Sequence, residues 1–286
     1  MPVIWELDFY SRPVLDEDQK KLWEVLICES PLQINTPLES LFRYCQFCPS
    51  GEVNSVQLRS IVETAIAQAP KPPDKIRFFR RQMNNMIIKA CQDAGLPVYP
   101  SRRTLALHRW IQQRMVEVYP QLPTYQAATN PSVGFPSAAP QPLPDALRGQ
   151  QWALVNLEVD AFAEMPEWQI DFGEAFPLEL GDVMPRAQIP GLIIFSPRAI
   201  PLAAWMSGLE MGFLRYDADT SQMLLETGAS DAWIVANVSK PALKAEAERF
   251  EVAKQQANQV HFLAVQSHPN AESFAGFWLM QKVDLA

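Results

Sequence analysis

Hydrophobic and polar positions alternate in "VIWELDFYSR" and again in "KLWEVLICES", with "PVLDEDQK" between them. A period of two is that of a half-buried strand, so the pair reads as a hairpin with a long tip. "PLQINTPL" reads as a short third strand. The period then changes. In "VNSVQLRSIVETAIAQA", Val56, Ile61 or Val62, Ala65 and Ile66 recur at helical spacing, and the prolines of "PKPPD" stop the run. "KIRFFRRQ" is a strand and "MNNMIIKACQDAG" a helix stopped by Gly95. "LPVYP" is a brief strand, and "SRRTLALHRWIQQRMVEVYP" a helix with Ser101 as its N-cap.

Seven prolines fall between Pro120 and Pro144. Proline lacks a backbone donor and disfavours helix at the residue before it, so 121–150 reads as an extended connector. Beyond it the pattern is again mixed. "QWALVNLEV", "GLIIFS", "GFLRYDA", "SQMLLET", "AWIVANV", "VHFLAVQS" and "GFWLMQKV" are strands, and "AIPLAAWMSGLE" and "KPALKAEAERFEVAKQQANQ" are helices. The expected class is mixed α/β. The first unit, 1–120, has the order β-β-β-α-β-α-β-α of a ribonuclease H-like fold, and a second mixed-sheet α/β domain fills 151–286.

Charge follows the same division. The chain carries a formal −8, with 24 Lys and Arg against 32 Asp and Glu. Residues 1–125 hold 15 of the basic and 13 of the acidic residues, so the acidity belongs to the second unit. Within 74–114 nine basic residues face two acidic ones, Asp74 and Asp93. Polyanions respond to such a local field more than to the total charge. No apolar run reaches the ~18 residues needed to cross a bilayer. The acidic, aromatic N-terminus resembles neither a secretory signal nor a transit peptide. The expectation is a mature, soluble, intracellular chain without membrane insertion.

Candidate chemistry is sparse. Ribonuclease H-type nucleases hold two Mg²⁺ with carboxylates from the first strand, the first helix and the end of the fourth strand. Asp8 and Glu63 occupy the first two places, but Arg80 and Arg81 stand at the third, and a guanidinium repels a cation. Each acid has a plain alternative: an ion-pair partner for Asp8, a solvated helix face for Glu63. Nucleotide-binding and nucleophile-elbow motifs are absent, so no cofactor is expected. Cys45 and Cys48 form one CxxC, short of the four ligands of a structural zinc site. His108, His261 and His268 have no ligand-spaced partner and read as surface or helix residues. Asp217 and Asp219 read as a hairpin turn.

The cations are more suggestive. Lys75, Arg77, Arg80 and Arg81 lie within seven residues, and Arg102 and Arg103 precede a helix whose free amides also favour anions. Phe78, Phe79, Tyr99 and Trp110 are interleaved with them. Arginine binds phosphate through paired hydrogen bonds, and unstacked bases stack on aromatic rings. A phosphate-tracking groove would use Lys75, Arg77, Arg80, Arg81, Arg102 and Arg103, with Tyr99 and Trp110 as stacking partners. The competing reading is an electrostatic interface, within the chain or with a protein.

Longer motifs favour the first reading. "WELDFYSRPVLDEDQKKLWEVLICES", "YPSRRTLALHRW", "PLPDALRGQQWALVNL", "IPGLIIFSPRAIPLAAWMSGLE" and "GFWLMQKV" occur in order along nearly the whole chain. They resemble the Tab/Atab family of A/U-rich-RNA-binding proteins of cyanobacteria and chloroplasts. The resemblance implies a non-catalytic protein that binds A/U-rich mRNA leaders and supports translation and photosystem biogenesis. It implies a cyanobacterial cytoplasm here and the stroma for plastid relatives, with translation or photosystem assembly proteins as further partners. It supplies no site residues. A protein-interaction scaffold and a Mg²⁺-dependent nuclease with a degenerate site remain the alternatives.

Overall fold

The computed structural model describes residues 2–127, 138–149 and 151–284. Of the expected connector, 128–137 and 150 lie outside the described residues. Two compact units are drawn from Met1–Ser30, Glu39–Gly134 and Asp284–Ala286, and from Pro31–Leu38 and Phe135–Val283. Among the described residues no helix is long and apolar enough to cross a membrane.

The first unit contains β1 (Ile4–Leu15), β2 (Lys21–Glu29), β3 (Arg43–Cys48), α1 (Ser55–Gln68), β4 (Lys75–Phe78), α2 (Asn84–Asp93), β5 (Val98–Pro100) and α3 (Leu105–Glu117). Its sheet has the order β3-β2-β1-β4-β5. The first three strands are antiparallel neighbours, while β4 runs parallel to β1 and β5 parallel to β4. At the hairpin tip Asp16 Oδ1 accepts from the Asp18 and Lys20 amides at 3.0 and 2.8 Å. Asn54 caps α1, its side chain accepting from Val56 and Gln57. Gly95, at φ 75°, ends α2 in the left-handed region that costs glycine little.

The two faces of this sheet differ in kind. Trp5, Leu7, Phe9, Val25, Ile27, Ile76, Phe78 and Cys48 share one face and form a core with Leu58, Ile61, Val62 and Ala65 of α1 and Ile87, Ala90 and Cys91 of α2. Strand alternation sends Glu6, Asp8, Glu24 and Arg77 to the other face, and all four are buried.

Two expectations need correction. Residues 31–38 are a bend, and the third strand is "RYCQFC", Arg43–Cys48. Pro31 and Pro37 remove ladder donors, whereas Tyr44 and Cys48 alternate toward the core. The last helix begins at Leu105 with Thr104 at its cap position, and Ser101 Oγ instead accepts from the Arg103 amide at 3.0 Å.

The second unit contains β6 (Gln141–Pro142), β7 (Gln151–Glu158), β8 (Ile170–Glu174), β9 (Gln188–Phe195), α4 (Ala199–Ser207), β10 (Met211–Asp217), β11 (Gln222–Thr227), β12 (Asp231–Asn237), α5 (Pro241–Gln256), β13 (Val260–Gln266) and β14 (Phe274–Gln281). One sheet has the order β10-β11-β12-β6, the other β7-β9-β13-β14-β8. A core of Leu192, Ile194, Leu263 and Trp278 from the five-stranded sheet meets Leu214, Met223 and Leu225 from the other, with Leu202, Met206 and Phe250 from the helices. The five-stranded sheet also carries Phe262 stacked on Phe277 at 5.0 Å, with Phe162 edge-on to both. Gly191 is required there, because a Cβ would sit 2.2 Å from the Phe262 ring.

β10 is an edge strand whose outer backbone groups are met by side chains. The Leu214 amide donates to His261 Nε2 at 2.8 Å, and the Tyr216 amide to Glu251 at 2.8 Å. Lys254 Nζ donates to the Leu214 carbonyl at 2.8 Å and to Glu251. His261 is therefore a buried strand residue, neither surface nor helix. Its Nε2 accepts, so the ring is neutral, with the proton on Nδ1 toward the Gln259 carbonyl. Lys254→Met keeps most of the stem but orphans a buried carbonyl. It should cost about 1–3 kcal/mol, read as a lower urea midpoint. An unchanged midpoint would mean that the β10 edge is held by something else.

Candidate nucleic-acid interface

The polar face of the first sheet is where the chemistry-bearing residues gather. β1 contributes Glu6 and Asp8, β2 contributes Glu24, and β4 leads into Arg80. α3 lies over the same strands and brings Trp110 and Arg114. Asp8 sits at the centre. Its Oδ1 accepts from Arg80 Nε at 2.9 Å, and its Oδ2 from Arg80 Nη2 at 3.0 Å and Arg12 Nη2 at 2.9 Å. Arg12 Nε also donates to Glu24 at 3.1 Å, and Glu24 accepts short bonds from Arg114 and the Tyr119 hydroxyl. The Arg80 guanidinium lies 4.0 Å from the Tyr10 ring centroid and 4.7 Å from that of Phe79. Burial alone would raise the Asp8 pKa, but Arg80 and then Arg12 hold it below the ordinary carboxylate value.

Glu6 is the second buried acid. Its carboxylate accepts from the Ser30 hydroxyl at 2.6 Å and from the Leu107 amide at 2.7 Å. It thereby serves the first turn of α3, where Thr104 supplies no side-chain cap. Burial pushes its pKa up to about 7, against the opposing pull of these hydrogen bonds and of Arg77 and Arg103.

The eight residues expected to hold RNA are divided by this arrangement. Arg80 and Arg81 follow β4, and Arg102 and Arg103 follow β5, so all four lie at the carboxyl ends of adjacent parallel strands. Their side chains do not share one exposure. Arg77, Arg80 and Arg102 are buried and Trp110 is 8% exposed. Arg81 and Tyr99 are exposed, and Lys75 and Arg103 partly so. Lys75 Nζ lies 5.9 Å from the Tyr99 ring centroid. Each of the six cations already has hydrogen-bonding, ionic or ring partners. A continuous open trough of all six is thus not what this surface presents; its outward part is Lys75, Arg81, Tyr99 and Arg103.

The other candidates resolve as structure. Glu63 is exposed on α1 and pairs with Arg59 at 2.7 Å, while Asp8 is buried among guanidiniums. Among the described residues no group of three or more His, Cys, Asp or Glu side chains is placed to hold a metal. Cys45 and Cys48 are three apart on β3 and so point to opposite faces, Cys45 exposed and Cys48 buried. Asp217 Oδ1 accepts from the Asp219 and Thr220 amides, as in an Asx turn. Sequence reasoning missed Arg12, Glu24, Arg114 and Tyr119. The available signal was Glu24 itself, an acid at the centre of the apolar run "KLWEVLICES".

Two solution tests follow from this chemistry. Asp8→Asn withdraws the shared counter-charge from buried Arg12 and Arg80 and should cost about 3–5 kcal/mol in chemical denaturation. A loss below about 1 kcal/mol would contradict a structural role. Glu6 acts with the opposite sign. Between its unfolded value near 4.5 and its folded value of about 7, the native state holds a proton that the unfolded chain has released. Its contribution to stability therefore falls as pH rises through that window. Glu6→Gln, unable to ionise, should gain on the native chain by up to about 3 kcal/mol between pH 4.5 and 7.5. A pH-independent difference would refute the assignment.

Comparison with known proteins bears on what this surface serves. Residues 4–114 match the family described as "RNA-binding protein Tab2/Atab2 N terminal", and residues 130–281 match "RNA-binding protein Tab2/Atab2, C-terminal domain". "Protein TAB2 homolog, chloroplastic" of Zea mays is 36% identical over 283 residues, spanning 96% of this chain and 70% of the relative. The protein of the same name from Arabidopsis thaliana is 35% identical over 283 residues, spanning 96% and 74%. No solved structure matches the chain. With both halves matched and relatives aligned over nearly its full length, the chain belongs to the Tab2/Atab2 family of RNA-binding proteins.

Proposed function

We propose that this protein binds A/U-rich single-stranded RNA without cleaving it and supports translation and biogenesis of photosystem proteins. The observation that carries the RNA reading is the family match across both units. The word "chloroplastic" in the names of both relatives supports a setting in photosynthetic cells. For this chain the proposed compartment is a cyanobacterial cytoplasm, with translation or photosystem assembly proteins as further partners.

The geometry supports the non-catalytic part. In the proposed ribonuclease H-like frame, supported by the strand order β3-β2-β1-β4-β5, Asp8 would be the metal-binding acid of the first strand. Here both its oxygens accept from guanidinium groups. A cation at that place would have to displace Arg80 from a two-bond pairing in a buried site. On the surface, Lys75, Arg81 and Arg103 would meet phosphates and Tyr99 a base.

Filter binding of an A/U-rich oligonucleotide across a salt series tests the reading. Affinity should fall with a log–log slope of about −0.7 for each phosphate neutralised, and Arg81→Glu should both weaken binding and flatten that slope. A salt-independent or absent interaction contradicts it. Labelled RNA incubated with Mg²⁺ or Mn²⁺ should remain intact, whereas cleavage abolished by Asp8→Ala would restore the nuclease reading.

A further inference from the structure

The buried ionic layer reaches toward the surface through α3. Its outer members are Arg114 and Trp110 on α3, and beyond them lies Arg43, the first residue of β3. The guanidinium carbons of Arg43 and Arg114 are each 5.6 Å from the Trp110 ring centroid. Arg43 is exposed. Among the described residues it forms no ion pair with a carboxylate, and its guanidinium lies beside the Trp110 ring.

The charges behind it explain why it stays available. Arg43 is in register with Cys28 and Cys28 with Glu6, whose carboxylate already accepts from Ser30 and Leu107, and Glu24 is shared by Arg12, Arg114 and Tyr119. Asp8 is likewise shared by Arg80 and Arg12. Arg43 thus adds positive charge where the buried acids are committed, on an edge strand open to solvent. An exposed guanidinium offers a plane as well as a charge, and an indole within about 6 Å attracts it without using up its N–H donors. That plane stacks a nucleobase and its N–H fork binds a phosphate, and the two together recognise single-stranded nucleic acid.

We propose that Arg43, backed by Trp110, is a base- and phosphate-binding platform for single-stranded RNA at the β3 edge of the first sheet. The inference rests on the RNA-binding reading above. β3 and β5 are the two edges of this sheet, four strand spacings or roughly 19 Å apart. Arg43 is therefore a contact separate from Lys75 and Tyr99.

Cys45 provides the test, because it is two residues along the strand on the same face, and Cys28, Cys48 and Cys91 are buried. The full chain is titrated with a fluorescent 20-mer of mixed A and U, and its alkylation by iodoacetamide is followed with and without that RNA. Bound RNA should slow Cys45 alkylation severalfold. Arg43→Ala should weaken binding about five- to a hundredfold, the loss expected for one stacked base. Arg43→Lys, which keeps the charge but not the plane, should recover only part of it. Arg59→Ala, on α1, should bind as the native chain does. Arg43 is exposed, so its variants should keep the native circular dichroism. If RNA binds the native chain and Arg43→Ala equally, with Cys45 alkylated at the same rate throughout, the platform is refuted while RNA binding stands. If the native chain binds no RNA, both readings fall together.

Discussion

The pairing of Asp8 with Arg80 anchors the polar face of the first unit's sheet. The two residues are 72 apart in sequence and both fully buried. A carboxylate taken out of water costs several kcal/mol, and only close, well-aligned opposite charge offsets that cost. The sheet can therefore carry Asp8 on its inner polar face only where Arg80 and Arg12 arrive with hydrogen-bonding geometry. Arg12 extends the arrangement to Glu24, and Glu24 to Arg114 and Tyr119, so the ionic layer ties β1, β2 and β4 to α3 and the turn after it. Hydrophobic contact tolerates sliding; a chain of directed, buried ion pairs does not. The opposite face, largely apolar, supplies the bulk of the driving force without needing this precision.

In the proposed ribonuclease H-like frame, the same layer sets guanidinium groups around the acid that would hold a metal. Two carboxylates and a cation form a nuclease centre when the acids converge on an ion. Here the cation is covalently part of the protein. Arg80 supplies fixed positive charge where Mg²⁺ would bring exchangeable charge, and Glu63 is turned to solvent with its own arginine. Cations on the first unit accordingly serve two purposes. Arg12 and Arg80 neutralise acids inside, and Arg43, Lys75, Arg81 and Arg103 reach outward.

Much of the fold was legible because alternation and helical spacing report burial directly. β1, β2, α1, α2 and α4 fall where the pattern puts them. The third strand was displaced because "PLQINTPL" is extended through proline without being paired, while "RYCQFC" is short and half polar. β8, "IDFGE", was missed because Asp and Gly mask a strand that is held by parallel pairing to β14. α3 begins late because Glu6, a hundred residues earlier, takes the role expected of Ser101. The candidate site was legible as a concentration of charge but not as an arrangement. Lys75 and Arg77 alternate along "KIRFFRRQ" like solvated residues and Arg80 follows the strand, and the burial of Arg77 and Arg80 depends on acids from a strand far away in sequence. Arg43 carried no local signal, since its significance comes from a tryptophan 67 positions later.

The central claim is that the outward cations of the first unit, and not its buried ionic layer or the acidic second unit, receive RNA. Photocrosslinking a bound A/U-rich RNA to the full chain and mapping the modified peptides tests this most directly. The account predicts crosslinks in the peptides around Arg43–Cys48, Lys75–Arg81 and Tyr99–Arg103. Crosslinks confined to residues 138–284 would contradict it.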